Sequence, residues 1–202
     1  MYQRCHWVHA RGIIATVLVL LMLMIAACGF LSESRSWTED VQLDDGSMIV
    51  IKRYVRFETS NSWAGDVPVS SDRRATLRFT GDLSDLPTWD VPLIPMVLYQ
   101  DASTKEWIIV ARSNRCEVWI ARGTPFPPYW EYHLTAGQWR QRALSDTSKG
   151  RPTNLLIDYL RENLPQHISV EHKKASFVDS NFTEAYRRVV PDIRRHCMVN
   201  AK

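Results

Sequence analysis

Recognisable reactive motifs are what this sequence lacks. It has no glycine-rich phosphate loop, no His-Glu-x-x-His, no Gly-x-Ser-x-Gly and no Ser-x-x-Lys. The sequence-local signatures of phosphate-loop, zinc-peptidase, α/β-hydrolase and penicillin-binding chemistry are therefore missing. A triad assembled from distant residues is not excluded by this. Cysteine is scarce, with four in 202 residues. The one collection of metal-ligating types, His167, His172, His196 and Cys197, has no familiar ligand spacing, so no metal and no cofactor is expected. Long apolar runs are missing too. The longest, Ile13 to Ala27, falls short of the ~20 residues a helix needs to cross the hydrocarbon core.

What is present at the N-terminus is a pattern. Arg4 and Arg11 precede the uncharged run, no acidic residue occurs before Glu33, and the run closes on small residues. That layout is a secretory signal peptide. Its last four residues, Ile25-Ala26-Ala27-Cys28, resemble the lipobox of bacterial lipoprotein precursors. The resemblance covers the first 28 residues only and implies cleavage before Cys28, with a diacylglyceryl group on its thiol. Two or three acyl chains anchor stably, whereas one binds marginally. The resemblance also implies a place in the bacterial cell envelope. Gly29, where an aspartate would favour the inner membrane, points to the outer membrane, facing the periplasm. The expected organisation is a signal peptide at 1–27, a lipidated cysteine and tether at 28–36, and a single β-rich domain at 37–202.

Removal of residues 1–27 takes Arg4 and Arg11 and no acid, leaving 23 basic against 22 acidic residues and a net charge of +1. Such a near-neutral chain has no overall electrostatic case for nucleic acid. Cys5 leaves with the signal and Cys28 takes the lipid, so Cys116 and Cys197 remain. Two thiols in an oxidising compartment favour a disulfide, which closes a loop of about 80 residues worth ~4 kcal/mol by chain entropy. Two free cysteines, one buried and one exposed, are the alternative.

The body reads as strands. Asp44-Asp45-Gly46 joins Val41 and Leu43 to Met48–Phe57 in a hairpin. Along the second strand Ile51, Arg53, Val55 and Phe57 alternate with Lys52, Tyr54 and Arg56. Residues 58–74 are polar and read as a loop. Strands are expected at Ala75–Thr80, Met96–Gln100, Glu106–Ala111 and Cys116–Ala121, then a hairpin of Tyr129–Leu134 and Gln138–Leu144. Thr153 or Asn154 can cap a helix carrying Leu155, Leu156, Tyr159 and Leu160. Ile168–Val170 reads as a small strand, and Asn181 with Glu184 resembles a capping box. The fold class expected is α+β, predominantly an antiparallel β sheet or sandwich with short C-terminal helices.

Two function classes stay open: a non-catalytic envelope lipoprotein in binding or assembly, and a protein that binds or modifies envelope glycan. Partners are the membrane, through Cys28, and other envelope proteins or glycan. Glu131 and His133 share a strand face and could pair an acid with a base, but no nucleophile is placed beside them by sequence. Seven tryptophans follow the signal. Core packing explains most of them. Trp63, Trp130 and Tyr132, on loop or edge positions, are the candidates for stacking on a sugar ring.

Overall fold

The computed structural model describes residues 34–60, 69–113, 116–157, 164–179 and 184–193. The chain divides into two units, Met1–Ser32 and Glu33–Lys202, and every described residue belongs to the second. The signal peptide, Cys28, Trp63 and Cys197 lie outside the described residues.

Two largely antiparallel sheets carry the fold, as the patterning predicts. The first contains β1 (Ser34–Gln42), β2 (Met48–Ser60), β3 (Val69–Phe79), β4 (Trp89–Val91) and β9 (His167–Ile168), in the order β4-β3-β2-β1-β9. Only β9 runs parallel to its neighbour β1. The second contains β5 (Ile94–Gln100), β6 (Trp107–Arg112), β7 (Tyr129–Thr135) and β8 (Gln138–Arg142) in sequence order. The described helices are short: α1 (Cys116–Ala121), α2 (Val170–Asp179) and α3 (Glu184–Arg187).

The two sheets differ because their sequences do. In β2 the alternation holds: Ile51, Arg53 and Val55 are buried while Lys52, Tyr54 and Arg56 are exposed. One face of the first sheet is therefore wet, as antiparallel sheets allow. β5 and β6 are instead apolar almost throughout, and every residue from Ile94 to Tyr99 and from Trp107 to Arg112 is buried. A strand apolar on both sides must be covered on both sides. The first sheet covers one face through aromatic contacts. Phe79 meets the Trp107 ring edge-on at 5.2 Å, Trp89 meets Tyr132 at 5.6 Å, and Phe79 stacks on Trp139 at 6.3 Å. The C-terminal quarter covers the other face. There Tyr99 Oη and Ser148 Oγ lie 2.9 Å apart, and Arg112 donates to the Ala185 carbonyl at 2.8 Å. Residues 150–153 pair with 187–189 along the way.

Several local expectations are corrected. The first described strand, β1, already includes Ser34, three residues before the expected domain start at Trp37. In the polar stretch 58–74 the described residues, 58–60 and 69–74, are strand: β2 and β3 pair out to Ser60 and Val69, past a bulge at Arg56/Phe57. Backbone pairing supplies that extension, so no apolar alternation marks it. Cys116–Ala121 is a helix rather than a strand. β7 pairs directly with β6, which leaves no strand position between them, and Ile120 is exposed where a core strand would bury it.

The helix expected from Asn154 is absent over its described residues. Asn154 instead serves as a surrogate strand partner for the open edge of β5. Its Oδ1 accepts from Leu98 N at 2.9 Å, and its Nδ2 donates to Leu98 O and Gln42 O at 2.8 and 3.1 Å. Leu155, Leu156 and Ile157 are then buried without forming a helix. α2 forms where the sequence pattern suggests no helix. Its cap, Ser169 Oγ accepting from His172 N at 3.2 Å, is the signal that marks it. Asn181, the other expected cap, lies outside the described residues.

Candidate functional site

β7 sends alternate residues to opposite faces, so Glu131 and His133 both meet the C-terminal cover, as the alternation suggests. The register sets His133 opposite Ile108 and Glu131 opposite Val110. Glu106, just before β6, reaches the same ring. His133 Nε2 contacts Glu131 Oε1, and Nδ1 lies 3.0 Å from Glu106 Oε2. Glu131 Oε2 accepts from both the N and Oγ of Ser145 at 2.9 Å. Glu106 Oε1 accepts from Thr135 Oγ1 at 3.2 Å, and Arg142 stands 3.6 Å from its other oxygen.

These partners fix the charge states. Burial alone raises the Glu131 carboxyl, but hydrogen bonds from Ser148, Ser145 and His133 outweigh it and hold the group below the usual range. The His133 hydrogen bond likewise lowers Glu106, with Thr135 and Arg142 adding to it against its desolvation. The order of groups decides what the array can do chemically. A serine is activated when the imidazole touches its hydroxyl and a carboxylate orients the far ring nitrogen. Here the carboxylate of Glu131 stands between Ser145 and His133, and both ring nitrogens face carboxylates. Ser145 donates to an anion and has no base against it. The array is a charge network that pins the 143–148 segment to the sheet.

Beside it lies a cleft of about 490 Å³. Helix α1 ends at Ala121, Gly123 takes φ +83, and the chain turns back through Pro125, Phe126 and Pro127 toward β8. Trp119 holds that turn, donating from Nε1 to Pro125 O at 3.2 Å. The turn places Arg122 over β7 and β8. Its Nη1 donates to Tyr132 Oη at 3.0 Å and to Gln141 Oε1 at 3.1 Å. Burial pushes the Tyr132 phenol up, opposed by the Arg122 charge. Arg142 and Lys149 line the cleft as well, and no carboxylate does. Arg142 and Lys149 have acidic partners in Glu106 and Asp146. Both partners of Arg122 are neutral, so its charge is uncompensated among the described residues. Phe126, 62 % exposed, supplies an apolar wall.

Of the sequence candidates, Trp130 and Tyr132 are brought together here, but not as exposed platforms. They are 2 % and 5 % exposed, since β7 is an inner strand and not an edge. Trp130 lines the cleft floor, and Tyr132 holds Arg122 through its hydroxyl. Cys116 begins α1, and its expected partner Cys197 lies outside the described residues. His167 lies near Asp40 rather than in a ligand set, and among the described residues no group of three or more histidine, cysteine or acidic side chains is arranged to hold a metal ion. The sequence gives no sign of Arg122, Gln141, Arg142 or Lys149, because a turn, a strand edge and a loop meet only in three dimensions. The chain matches no family model, no curated protein and no solved structure.

Proposed function

We propose that this chain is a lipid-anchored bacterial envelope lipoprotein whose domain binds an anionic ligand without catalysing its reaction. Cys28 is the lipidated residue, the outer membrane facing the periplasm is its place, and Cys116 pairs with Cys197. The observation that carries the binding role is the cleft around Arg122, where a cation with only neutral partners faces an aromatic and proline wall. A carboxylate or phosphate on a ring-bearing ligand fits that chemistry, because a guanidinium forks onto either anion and ring faces rest on aromatics. An acidic saccharide of the envelope is such a ligand. The non-catalytic part rests on the order Ser145–Glu131–His133–Glu106, in which the base and the hydroxyl never meet.

Separate readouts on the full chain test each part of this. Expressed in a bacterial host, the wild type should incorporate labelled palmitate, and Cys28→Ser should leave an unprocessed precursor. Digestion without reduction should yield one Cys116–Cys197 peptide pair. Titrated with carboxylate-bearing peptidoglycan fragments, Arg122→Ala should lose roughly 10- to 100-fold in affinity, the usual range for a charge-assisted hydrogen bond, with an unchanged circular dichroism spectrum. Absence of palmitate sinks the anchor. Turnover of those fragments, abolished by His133→Ala in a folded protein, sinks the non-catalytic reading.

A further inference from the structure

The wet face of the first sheet is charged in a way that solvation alone does not require. Met48, Val50, Lys52, Tyr54 and Arg56 point outward from β2, opposite the buried Ile51, Arg53 and Val55. On β3 the register sets Arg78 against Lys52, Thr76 against Tyr54 and Arg74 against Arg56. Two like-charged pairs thus stand directly opposite each other on neighbouring strands, an arrangement that destabilises a sheet. Edge protection does not explain it, since β2 and β3 both have neighbours on each side. Asp90 of β4 answers one of the four, accepting from Arg74 Nε at 2.5 Å. Lys52, Arg56 and Arg78 have no hydrogen-bonding or ion-pair partner among the described residues.

Apolar surface accompanies these charges. Met48, Tyr54 and Val50 are 50 %, 41 % and 40 % exposed on the same strand face. Lys52 and Arg56 are four residues apart, a spacing of about 13 Å along a strand, which is wider than one phosphate or carboxylate can bridge. The partner that fits is an array of anions with an apolar layer beneath it.

We infer that this face rests on an anionic phospholipid surface, with Lys52, Arg56 and Arg78 among the headgroups and Tyr54 at the interface. Charge complementarity carries the argument, and a tyrosine with one apolar and one polar end suits that depth. The choice of a lipid partner rests also on the anchor reading above. β1 begins at Ser34, opposite Arg56, and six residues from Cys28 to Ser34 span at most about 20 Å. An acylated Cys28 therefore keeps the Arg56 end of the face within reach of the bilayer. Each cation near an anionic surface is worth about fivefold in partitioning, so three give roughly a hundredfold preference over a neutral one.

Lysine acetylation followed by mass spectrometry reads this directly on the full chain. The protein is mixed with vesicles of phosphatidylcholine alone, or of two parts phosphatidylcholine to one part phosphatidylglycerol. Acetylation of Lys52 should fall at least tenfold on the anionic vesicles and return at high salt, where the attraction is screened. Lys105, exposed on the β5–β6 turn, is the internal reference and should not change. Arg56→Gln with Arg78→Gln removes two of the three free cations and relieves both opposed pairs. It should fold at least as stably and lose roughly 25-fold in anionic-vesicle partitioning. Equal acetylation of Lys52 on both vesicles overturns the inference, as does protection by dextran sulfate but not by vesicles, which transfers the face to a soluble polyanion. Palmitate labelling reports on the anchor separately, so an unlabelled chain that still protects Lys52 leaves this face standing and removes the tether.

Discussion

Glu131 is buried outright, yet it is held as an anion by donors on two sides. A buried carboxylate is tolerable only when its lone pairs are filled, and here Ser145 N and Oγ and the His133 ring fill them. The folded-state value lies below the ordinary 4.5, as does that of Glu106. Wherever the unfolded chain binds more protons than the folded one, stability falls with falling pH. The contribution of these two groups is therefore complete above 4.5 and lost as pH drops through their lower folded values. Glu131→Gln should cost about 2 kcal/mol at neutral pH, because an amide cannot accept at both positions. It should also flatten the acid limb of the stability profile. Urea unfolding at neutral pH and below 4.5 checks both, and an unchanged acid limb refutes the assignment. The pairing of Glu131 with His133 was legible from their i, i+2 spacing. Glu106 was not, because only the β6–β7 register brings it to the ring.

At the level of elements, hairpins declared themselves where turn chemistry and alternation coincided. The Asp44-Asp45-Gly46 turn forms as its sequence suggests, with Gly46 at φ +82 and Asp45 accepting from Ser47 N at 2.9 Å. The β7–β8 hairpin closes less comfortably. Thr135 pairs with Gln138, so Ala136 and Gly137 make a two-residue loop, with φ +50 and +73. Two positive values define the type I′ turn, for which asparagine followed by glycine is favoured and alanine is strained. Ala136→Asn should stabilise the domain by about 1 kcal/mol, read as a higher midpoint in thermal unfolding. A lower midpoint would show that the turn is not of this type. Elements without such signals depart from what their residue pattern suggests. Cys116–Ala121 alternates like a strand, but alternation says nothing about whether a neighbouring strand has a free edge, and here β6 and β7, the strands on either side of it in the chain, pair with each other. Leu155–Ile157 is apolar like a helix face, but β5 has an open edge that the Asn154 side chain fills, bonding both Leu98 N and Leu98 O.

For the whole molecule, the arrangement of layers depends on one buried ion pair. Arg53 and Glu39 are fully buried on the inner face of the first sheet, 3.3 Å apart. Arg53 Nη1 also donates to Leu156 O at 2.6 Å, its guanidinium lies 5.1 Å from the Trp37 ring, and Glu39 accepts from Leu156 N at 3.1 Å. The pair thus ties the 154–157 segment to β1 and β2. Removing one member of a buried pair leaves the other uncompensated, which costs about 3 kcal/mol or more. Arg53→Met should therefore lower stability by about that amount, and Glu39→Leu added to it should restore part of the loss. Denaturant titration of the single and double variants checks the coupling, and additive losses would deny it. The sequence by itself determined the β-rich class, the inward set of β2 with Arg53 in it, and the shared face of Glu131 and His133. These depend on periodicities that are local to a strand. Tertiary structure alone decided what those residues meet: that a buried arginine has Glu39, that β7 is an inner strand which hides Trp130 and Tyr132, and that Arg122 stands over β8 without a counter-ion among the described residues. Each depends on sheet order and register, which are fixed by where the largest apolar area can be hidden from water, and no stretch of chain records that in its own residues.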